Sequence, residues 1–205
     1  MSRIGPRLKI VRRLGIQLPG LTSKDAERRP YPPGQHGQST GRRKKISLYR
    51  KRLEAKQAVR FHYGVSEAQL RRSFASASRL PGRTADSLFM LLESRLDNVI
   101  FRLGFSRTIP AARQLVVHGH VRINGMRVDR PGFRVRTGQI ISVDPRLAEN
   151  VHVQQQVAKG PQVRMPDWLA LDPDAPLTGR MIAPPTRASV PLTVDDSAIV
   201  EYYAM

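Results

Sequence analysis

The chain has 205 residues and a formal net charge of +19 at pH 7, from 35 Lys and Arg against 16 Asp and Glu. This balance favours a polyanionic partner, and the absence of cysteine excludes disulfides, a thiolate nucleophile, iron–sulfur clusters and cysteine-ligated zinc. The longest apolar run, Leu88–Leu92, is too short to cross a membrane and the first residues lack a secretory signal, so we expect a soluble, cytoplasmic protein.

The positive charge is concentrated toward the N-terminus. Residues 1–60 carry 17 basic and 3 acidic side chains, residues 61–143 carry 13 and 5, and residues 144–205 carry 5 and 8. Because a localised field marks a binding surface, we expect the partner to contact the first two-thirds of the chain. The basic residues of the middle segment are all Arg, which clamps phosphate and stacks on bases, so this pattern favours nucleic acid over a membrane.

Residues 1–45 are predicted to form an extended basic arm. Seven Pro and Gly residues lie between positions 19 and 37, and the segment shows no sustained helical period. A solvated tail is the alternative interpretation, but a polar tail does not usually need the compact turn at Pro32–Gly37 between two basic blocks.

Three helices are predicted next, from apolar spacing and end signals. The first covers residues 47–63. The second begins at Ser66, which can form a capping box with Gln69. The third covers residues 85–103, where leucines recur at helical spacing and Gly104 follows as a C-terminal stop.

The pattern then changes to a short helix and a small sheet. Thr108 can cap a helix over residues 109–117, with Pro110 in its first turn. Asn124-Gly125 is typical of a tight hairpin turn, and apolar residues alternate on both sides of it. A hairpin is predicted from 121–123 and 126–128, and a closing strand at 140–143, while Phe133 and Val135 alternate around Arg134 between them.

These elements predict an α+β fold with four parts. The basic arm is followed by a small helical domain at 46–93, an inserted module of two helices plus a small antiparallel sheet at 94–157, and a Pro-rich connecting segment at 158–186. The segment 187–205 ends in apolar and aromatic residues that a solvent-facing tail would not carry. We therefore expect it to dock back and complete the helical domain.

One motif suggests an enzyme. Arg95-Leu96-Asp97 resembles the signature of pseudouridine synthases, in which the aspartate is the nucleophile. The triplet lies inside the predicted third helix, and the residues after the hairpin are too few for a catalytic domain. Asp97 is therefore predicted to bond a neighbouring Arg or a backbone group instead.

His118 and His120 flank Gly119 and could be imagined as metal ligands. Two imidazoles without a nearby carboxylate or thiolate make a poor site, so we predict no metal, no cofactor and no small-molecule substrate. The two histidines are interpreted as hydrogen-bond donors that face RNA, with a plain turn role as the alternative.

Two clusters of polar side chains favour nucleic-acid binding. The first lies after the turn of the arm and can follow a phosphate chain: Arg42, Arg43, Lys44, Lys45, Arg50, Lys51 and Arg52. The second lies where a capped helix and a tight hairpin meet: Arg107, Arg113, Gln114, His118, Arg122, Asn124 and Arg127. Rigid elements hold the second set in fixed register, which favours folded RNA recognised by its shape.

Motifs in the middle and at both ends of the chain resemble a known family. Arg95–Phe105, Ala112–Val121 and Asn124-Gly125 are similar to the small RNA-binding module of the bacterial small-subunit ribosomal protein S4 family. That module also occurs in pseudouridine synthases, a tyrosyl-tRNA synthetase and a heat-shock protein. The termini narrow the resemblance to the ribosomal family itself, through Gly5–Arg13, Pro33–Gly37 and Ile199–Tyr203.

The resemblance implies a structural protein that binds the 5′ domain of small-subunit ribosomal RNA, nucleates assembly of the subunit body and supports accurate translation. It also implies neighbouring small-subunit proteins, chiefly the fifth, and a place near the messenger-RNA entrance, which we assign to the basic block at 42–45. Further residues predicted to bind RNA are Arg3, Arg7, Lys9, Arg12, Arg13, Gln35, His36, Lys56 and His120.

The chain departs from the family in one respect. Many members bind zinc through an N-terminal cysteine cluster, which this sequence lacks, so its arm must be ordered by RNA contacts and packing. Two alternatives stay open: an RNA-modifying enzyme of the pseudouridine synthase type, which needs Asp97 in an open pocket, and a free-standing RNA chaperone with the same module.

Overall fold

The computed structural model describes residues 5–24, 26–38, 47–148, 153, 155, 159–175 and 177–204. Its helices are α1 (Arg7–Leu14), α2 (Leu48–His62), α3 (Glu67–Ala77), α4 (Thr84–Glu93), α5 (Leu96–Arg102), α6 (Ile109–Val117), α7 (Pro145–Ala148) and α8 (Asp196–Ala204). Its strands are β1 (Val121–Ile123), β2 (Met126–Arg127), β3 (Ile140–Val143), β4 (Leu169–Leu171) and β5 (Thr178–Met181). These elements confirm the α+β fold. Within these ranges, no helix has the length and apolar content needed to span a membrane.

The N-terminal arm is partly helical, so the prediction of an extended segment was wrong for α1. Gly15 ends this helix with a φ of 66°, a left-handed conformation that glycine adopts without steric cost. Leu18 and Leu21 follow and are fully buried. Next to them, the Gly20 carbonyl accepts the N–H of Ile109 at 2.8 Å. The described part of the arm is therefore attached to the start of α6.

Helices α2, α3, α4 and α8 form the helical domain. The Ser66 hydroxyl accepts the N–H of Gln69, and the Gln69 side chain accepts the N–H of Ser66, which confirms the predicted capping box. Helix α8 packs against α2 and α4. The Tyr203 hydroxyl donates to Glu67 at 3.1 Å, and its ring centre lies 4.7 Å from that of Phe74. The predicted docking of the C-terminal segment is confirmed.

The single helix predicted over 85–103 is wrong, because the chain turns between α4 and α5. At the start of α5, the N–H of Leu96 donates to the Phe133 carbonyl at 2.8 Å, and the N–H of Asp97 donates to the Pro131 carbonyl at 3.2 Å. A helix start leaves such N–H groups unpaired, and a distant loop supplies their acceptors here. The break is therefore a tertiary effect rather than a failure of local helix propensity.

The alternating segment at 133–135 does not join the sheet. These residues form one β-bridge, between Arg95 and Arg134, and the N–H of Val135 donates to the Ser94 carbonyl at 2.8 Å. The segment instead lies across the turn between α4 and α5.

A five-stranded antiparallel sheet completes the inserted module, in the order β2-β1-β3-β5-β4. The predicted hairpin β1–β2 and the closing strand β3 are confirmed. Strands β4 and β5 lie in the segment that was predicted to be only a Pro-rich connection, so the sheet extends beyond the predicted module. The inner face of the sheet is buried, and Gly179 lets Leu103 approach it closely: a Cβ at Gly179 would lie 2.6 Å from Leu103 Cδ2.

Candidate nucleic-acid interface

Asp97 lies at the centre of a buried ion-pair cluster. Arg95 donates to its carboxylate from Nε at 3.0 Å and from Nη2 at 2.7 Å, and Arg113 donates from Nη2 at 2.8 Å. The N–H of Asn98 also donates to it, and the Asp97 side chain is 0% exposed. The predicted bond to neighbouring arginines is confirmed. Because the carboxylate is enclosed and fully bonded, it has no open face for the substrate of a modifying enzyme.

Arg113 belongs to this cluster, and this corrects its predicted place on an RNA-facing surface. Its Nη1 donates to the Gly64 carbonyl at 2.7 Å, while Nε and Nη2 donate to Asp97 at 3.2 and 2.8 Å. The side chain is only 19% exposed. The guanidinium therefore links α6 to α5 and to the end of α2, and its donors are used within the fold.

A second buried cluster surrounds Glu93, where the helical domain meets the module. Its carboxylate accepts hydrogen bonds from Tyr63 at 2.6 Å and from Asn98 and Arg102, both at 2.9 Å. Burial and the neighbouring carboxylate raise the pKa of Tyr63. Burial and the charge of Arg102 lower the pKa of His62, whose ring lies 4.8 Å from that of Tyr63, to about 3. His62 is therefore a neutral core residue at neutral pH.

The exposed cations of α2 are mostly paired with acids. Arg50 Nε lies 2.7 Å from Glu54, and Arg52 Nη2 lies 2.7 Å from Glu201 of α8. Lys51 is exposed and, within the described ranges, has no acidic partner. Of these three predicted RNA-binding residues, Lys51 alone presents its charge without an acid beside it.

Lys56 is buried, and this corrects its predicted RNA contact. Its Nζ donates to Glu67 at 2.8 Å and lies 4.7 Å from the centre of the Tyr202 ring. Partial burial alone would raise the pKa of Glu67, but hydrogen bonds from Lys56 and Tyr203 lower it. The Lys56 ammonium therefore holds α2, α3 and α8 together and does not reach the surface.

A set of accessible polar side chains lies on α6, on β1 and β2, and in the loop before α6. We call it the α6–β1–β2 surface: Arg107, Gln114, His118, His120, Arg122, Asn124 and Arg127. All are exposed except His120, which is half-buried. The structure gives its three arginines no side-chain hydrogen bond or ion pair to any described residue. The cationic donors of this surface are therefore open to a partner.

The scaffold beneath the α6–β1–β2 surface is rigid at both ends. The Thr108 hydroxyl accepts the N–H of Ala111, as predicted for the start of α6. In the hairpin, Asn124 adopts a φ of 48° and its Oδ1 accepts the N–H of Ile140 at 2.8 Å. The Asn124 oxygen fixes the turn to β3, and its amide nitrogen stays available to a partner.

Gly119 determines where the Arg127 side chain lies. It follows α6 with a φ of 77°, and a Cβ at this position would collide with the Arg127 guanidinium. The guanidinium therefore packs on the backbone at the C-terminal end of α6, where helix carbonyls favour a cation.

His118 and His120 stay separate from any acidic cluster. Their ring centres are 6.1 Å apart. In the part of the chain that the structure describes, no three His, Asp or Glu side chains are grouped so as to hold a metal ion.

The remaining predicted residues lie on the arm. Arg7, Lys9, Arg13, Gln35 and His36 are exposed. Arg12 is half-buried: its Nε donates to the Tyr31 carbonyl at 3.0 Å, and its guanidinium lies 5.0 Å from the Tyr31 ring centre. Arg3, Arg42, Arg43, Lys44 and Lys45 lie outside the described residues.

Sequence reasoning missed four exposed arginines near the sheet: Arg130, Arg134, Arg136 and Arg180. Arg130 precedes the turn at 131–132 and Arg136 begins the turn at 136–139, and these positions in a hairpin-rich segment could have indicated them. Arg180 carried no comparable signal, because β5 was not predicted.

Comparison with known proteins gives consistent matches over the whole chain. Residues 2–93 match the family model described as the ribosomal protein S4/S9 N-terminal domain, and residues 94–141 match the S4 domain. The chain is 44% identical over 200 residues to small ribosomal subunit protein uS4 of Geobacillus stearothermophilus, covering 98% of this chain and 97% of that protein. It is 47% identical over 205 residues to the protein of the same name from Methylobacillus flagellatus, covering 100% and 98%. The corresponding protein of Thermosynechococcus vestitus is 48% identical over 200 residues, covering 98% and 96%.

Proposed function

The chain belongs to the family of small ribosomal subunit protein uS4, and we propose that it binds small-subunit ribosomal RNA directly through the α6–β1–β2 surface. Like its relatives, it is a structural ribosomal protein and not an enzyme, and it contains an S4 domain. The match covers nearly the full length of those relatives, so the resemblance found in the sequence is confirmed.

The observation that carries the proposal is a difference in pairing. Arg107, Arg122 and Arg127 are exposed and lack acidic partners among the described residues, whereas most arginines elsewhere on α2 and α5 are bonded within the fold. Because a capped helix and a tight hairpin hold these donors in fixed register, the surface suits a folded RNA of matching shape.

The basic arm is proposed to be a separate RNA-binding segment. The block at 42–45 immediately precedes α2, and Lys51 of α2 is exposed beyond it. A run of cations can follow a phosphate chain without reading its sequence. We therefore propose that this segment lies at the messenger-RNA entrance, while the S4 domain binds the 5′ domain of the ribosomal RNA and nucleates the body of the subunit in the cytoplasm.

Neighbouring small-subunit proteins are proposed as partners, and the chief one, the fifth small-subunit protein, is proposed to contact the start of α2. Leu48 and Tyr49 are 60% and 53% exposed, which is unusual for large apolar side chains. The Tyr49 ring centre lies 6.3 Å from that of Tyr202 on α8, so the two helices present a joint aromatic patch. Such a patch suits a protein surface better than a phosphate backbone.

The test is the affinity of the full chain for the isolated 5′ domain RNA and for a scrambled RNA of equal length, across a salt series. We expect a large ratio between the two affinities that persists at high salt, because shape recognition adds contacts that counterion release does not supply. Equal affinities with the same steep salt dependence would overturn the proposal and would favour the RNA chaperone.

A further inference from the structure

The outer face of the sheet, which points away from α5, is a second patterned surface. One row of direct partners crosses it, formed by Arg127 on β2, Arg122 on β1, Ser142 on β3 and Thr178 on β5. The next row contains Ile140 on β3 and Arg180 on β5, with Ala170 of β4 beside them. Residues alternate between the faces of a strand, so both rows point outward while their neighbours are buried.

The composition of this outer sheet face indicates a polyanion. Arg122 and Arg180 are exposed, and neither has a side-chain hydrogen bond or ion pair to any residue that the structure describes. None of the outward positions in these strands is Asp or Glu. Asp172 follows β4 at the edge of the sheet, and its carboxylate accepts the N–H of Asp174. The face is therefore positive over its described area.

The apolar part of the face is too small to bury a protein partner. The exposed apolar side chains beside Arg180 are Ile140 at 48% and Leu171 at 40%, with Pro173 next to them, and none of these is aromatic. Stable protein interfaces use a larger apolar core with aromatic anchors. A flat face with separated guanidinium groups instead matches phosphates, which an arginine fork binds through two hydrogen bonds.

We propose that the outer sheet face extends the RNA contact of the α6–β1–β2 surface across the sheet, so that Arg122, which both surfaces share, and Arg180 bind two different phosphates of the ribosomal RNA. Because the two arginines lie two strands apart, at about 5 Å per strand, they are too far apart to share one phosphate easily. Arg180 is the new residue in this contact, and it comes from a strand outside the S4 domain match. The proposal rests on the proposed function, since it requires direct binding of the same RNA.

The first test compares Arg180→Ala and Arg180→Lys with the unaltered chain, by affinity for the 5′ domain RNA across a salt series. We expect Arg180→Ala to bind about 10-fold more weakly and to release about one counterion fewer, because a phosphate contact is lost. Arg180→Lys keeps the charge and should keep the salt slope. Thermal unfolding midpoints within about 2 °C of the unaltered chain would show that the fold is retained.

The second test locates the RNA. Because the chain has no cysteine, Ser142→Cys creates a unique thiol on the same face, in the row of Arg122, for an iron–EDTA probe that cleaves nearby RNA without removing either arginine. We expect a small set of strong cuts in the 5′ domain, and a different set or none from the same probe on Ser197→Cys, an exposed position on α8.

The two proposals fail in different ways. Failure of the unaltered chain to prefer the 5′ domain would overturn the proposed function. Normal preference by the unaltered chain, together with unchanged affinity and salt slope of Arg180→Ala and no cuts from the Ser142→Cys probe, would overturn the outer sheet face alone.

Discussion

Helix α2 and the α6–β1–β2 surface were both predicted to bind RNA through cations, but their cations differ in whether the fold supplies acidic partners. On α2, Arg52 is paired with Glu201 and Lys56 with Glu67, and both acids come from other helices. On the α6–β1–β2 surface, Arg122 and Arg127 have no such partners among the described residues. Positive charge in a sequence therefore does not show which cations can reach a ligand, because distant acids decide it.

Removing the acid of a paired cluster should have the largest effect. We expect Asp97→Ala to lower the free energy of unfolding by about 3–5 kcal/mol, because Arg95 and Arg113 would be left unpaired in a buried site. Urea unfolding measures the change. Asp129→Ala, at an exposed position of the module, is the control and should change the free energy by less than about 0.5 kcal/mol. Equal midpoints for the two variants would show that the cluster does not support the fold.

Acid should destabilise the fold through the buried His62. The pKa of His62 is about 3 in the folded chain against an ordinary 6.5, so the unfolded chain binds the extra proton between these values. The contribution of the neutral His62 to the free energy of unfolding is fully present above about pH 6.5. It is lost as the pH falls toward 3, by about 1.4 kcal/mol per pH unit at most. Urea unfolding at pH 6 and pH 4 should show the loss, and His62→Leu should show a smaller slope. The same slope in both chains would contradict this origin.

Substitutions at Arg122 and Arg113 should separate the loss of RNA affinity from the loss of folding stability. We expect Arg122→Ala to weaken RNA binding by about 1–3 kcal/mol without moving the unfolding midpoint, because its side chain is exposed and has no described partner. Arg113→Ala should mainly lower the midpoint, because its fork bonds Asp97 and Gly64. Paired measurements of affinity and unfolding on both variants test this division. Equal losses of affinity with no change in stability would contradict it.

Several elements were predictable because their signals are local. Ser66 and Gln69 lie three residues apart and cap each other. Asn124 tolerates the positive φ that the hairpin turn requires. The first helix of the arm also had local signals, Pro6 before it and Gly15 after it, which were outweighed by the prolines that follow.

The elements that were missed depend on distant partners. The leucine spacing continues through Ser94, so only the carbonyls of the loop at 131–135 reveal the break between α4 and α5. Strand β5 contains Gly179, a poor strand former, which is required because Leu103 packs against it. The place of Lys56 in the core likewise depends on Glu67 and Tyr202, which no local pattern connects to it.

The exposed ion pair between α2 and α8 should have the smallest effect. Arg52 and Glu201 are 20% and 50% exposed, so solvent screens their attraction. A double-mutant cycle with Arg52→Ala and Glu201→Ala should give a coupling energy below about 1 kcal/mol in unfolding. RNA affinity of Arg52→Ala should fall less than that of Arg122→Ala. A larger loss at Arg52 would mean that RNA competes with Glu201 for its guanidinium.

The packing of α8 on α2 sets an order of events during synthesis of the chain. Arg52 and Glu201 are 149 positions apart, and translation at about 5–20 residues per second separates their appearance by roughly 7–30 s. Helices α5 and α6 and the first three strands are completed within that interval, whereas the side of α2 that α8 covers stays uncovered. A nascent chain would therefore present an unfinished helical domain next to an already folded module, and α2 is the segment that a chaperone would have to protect.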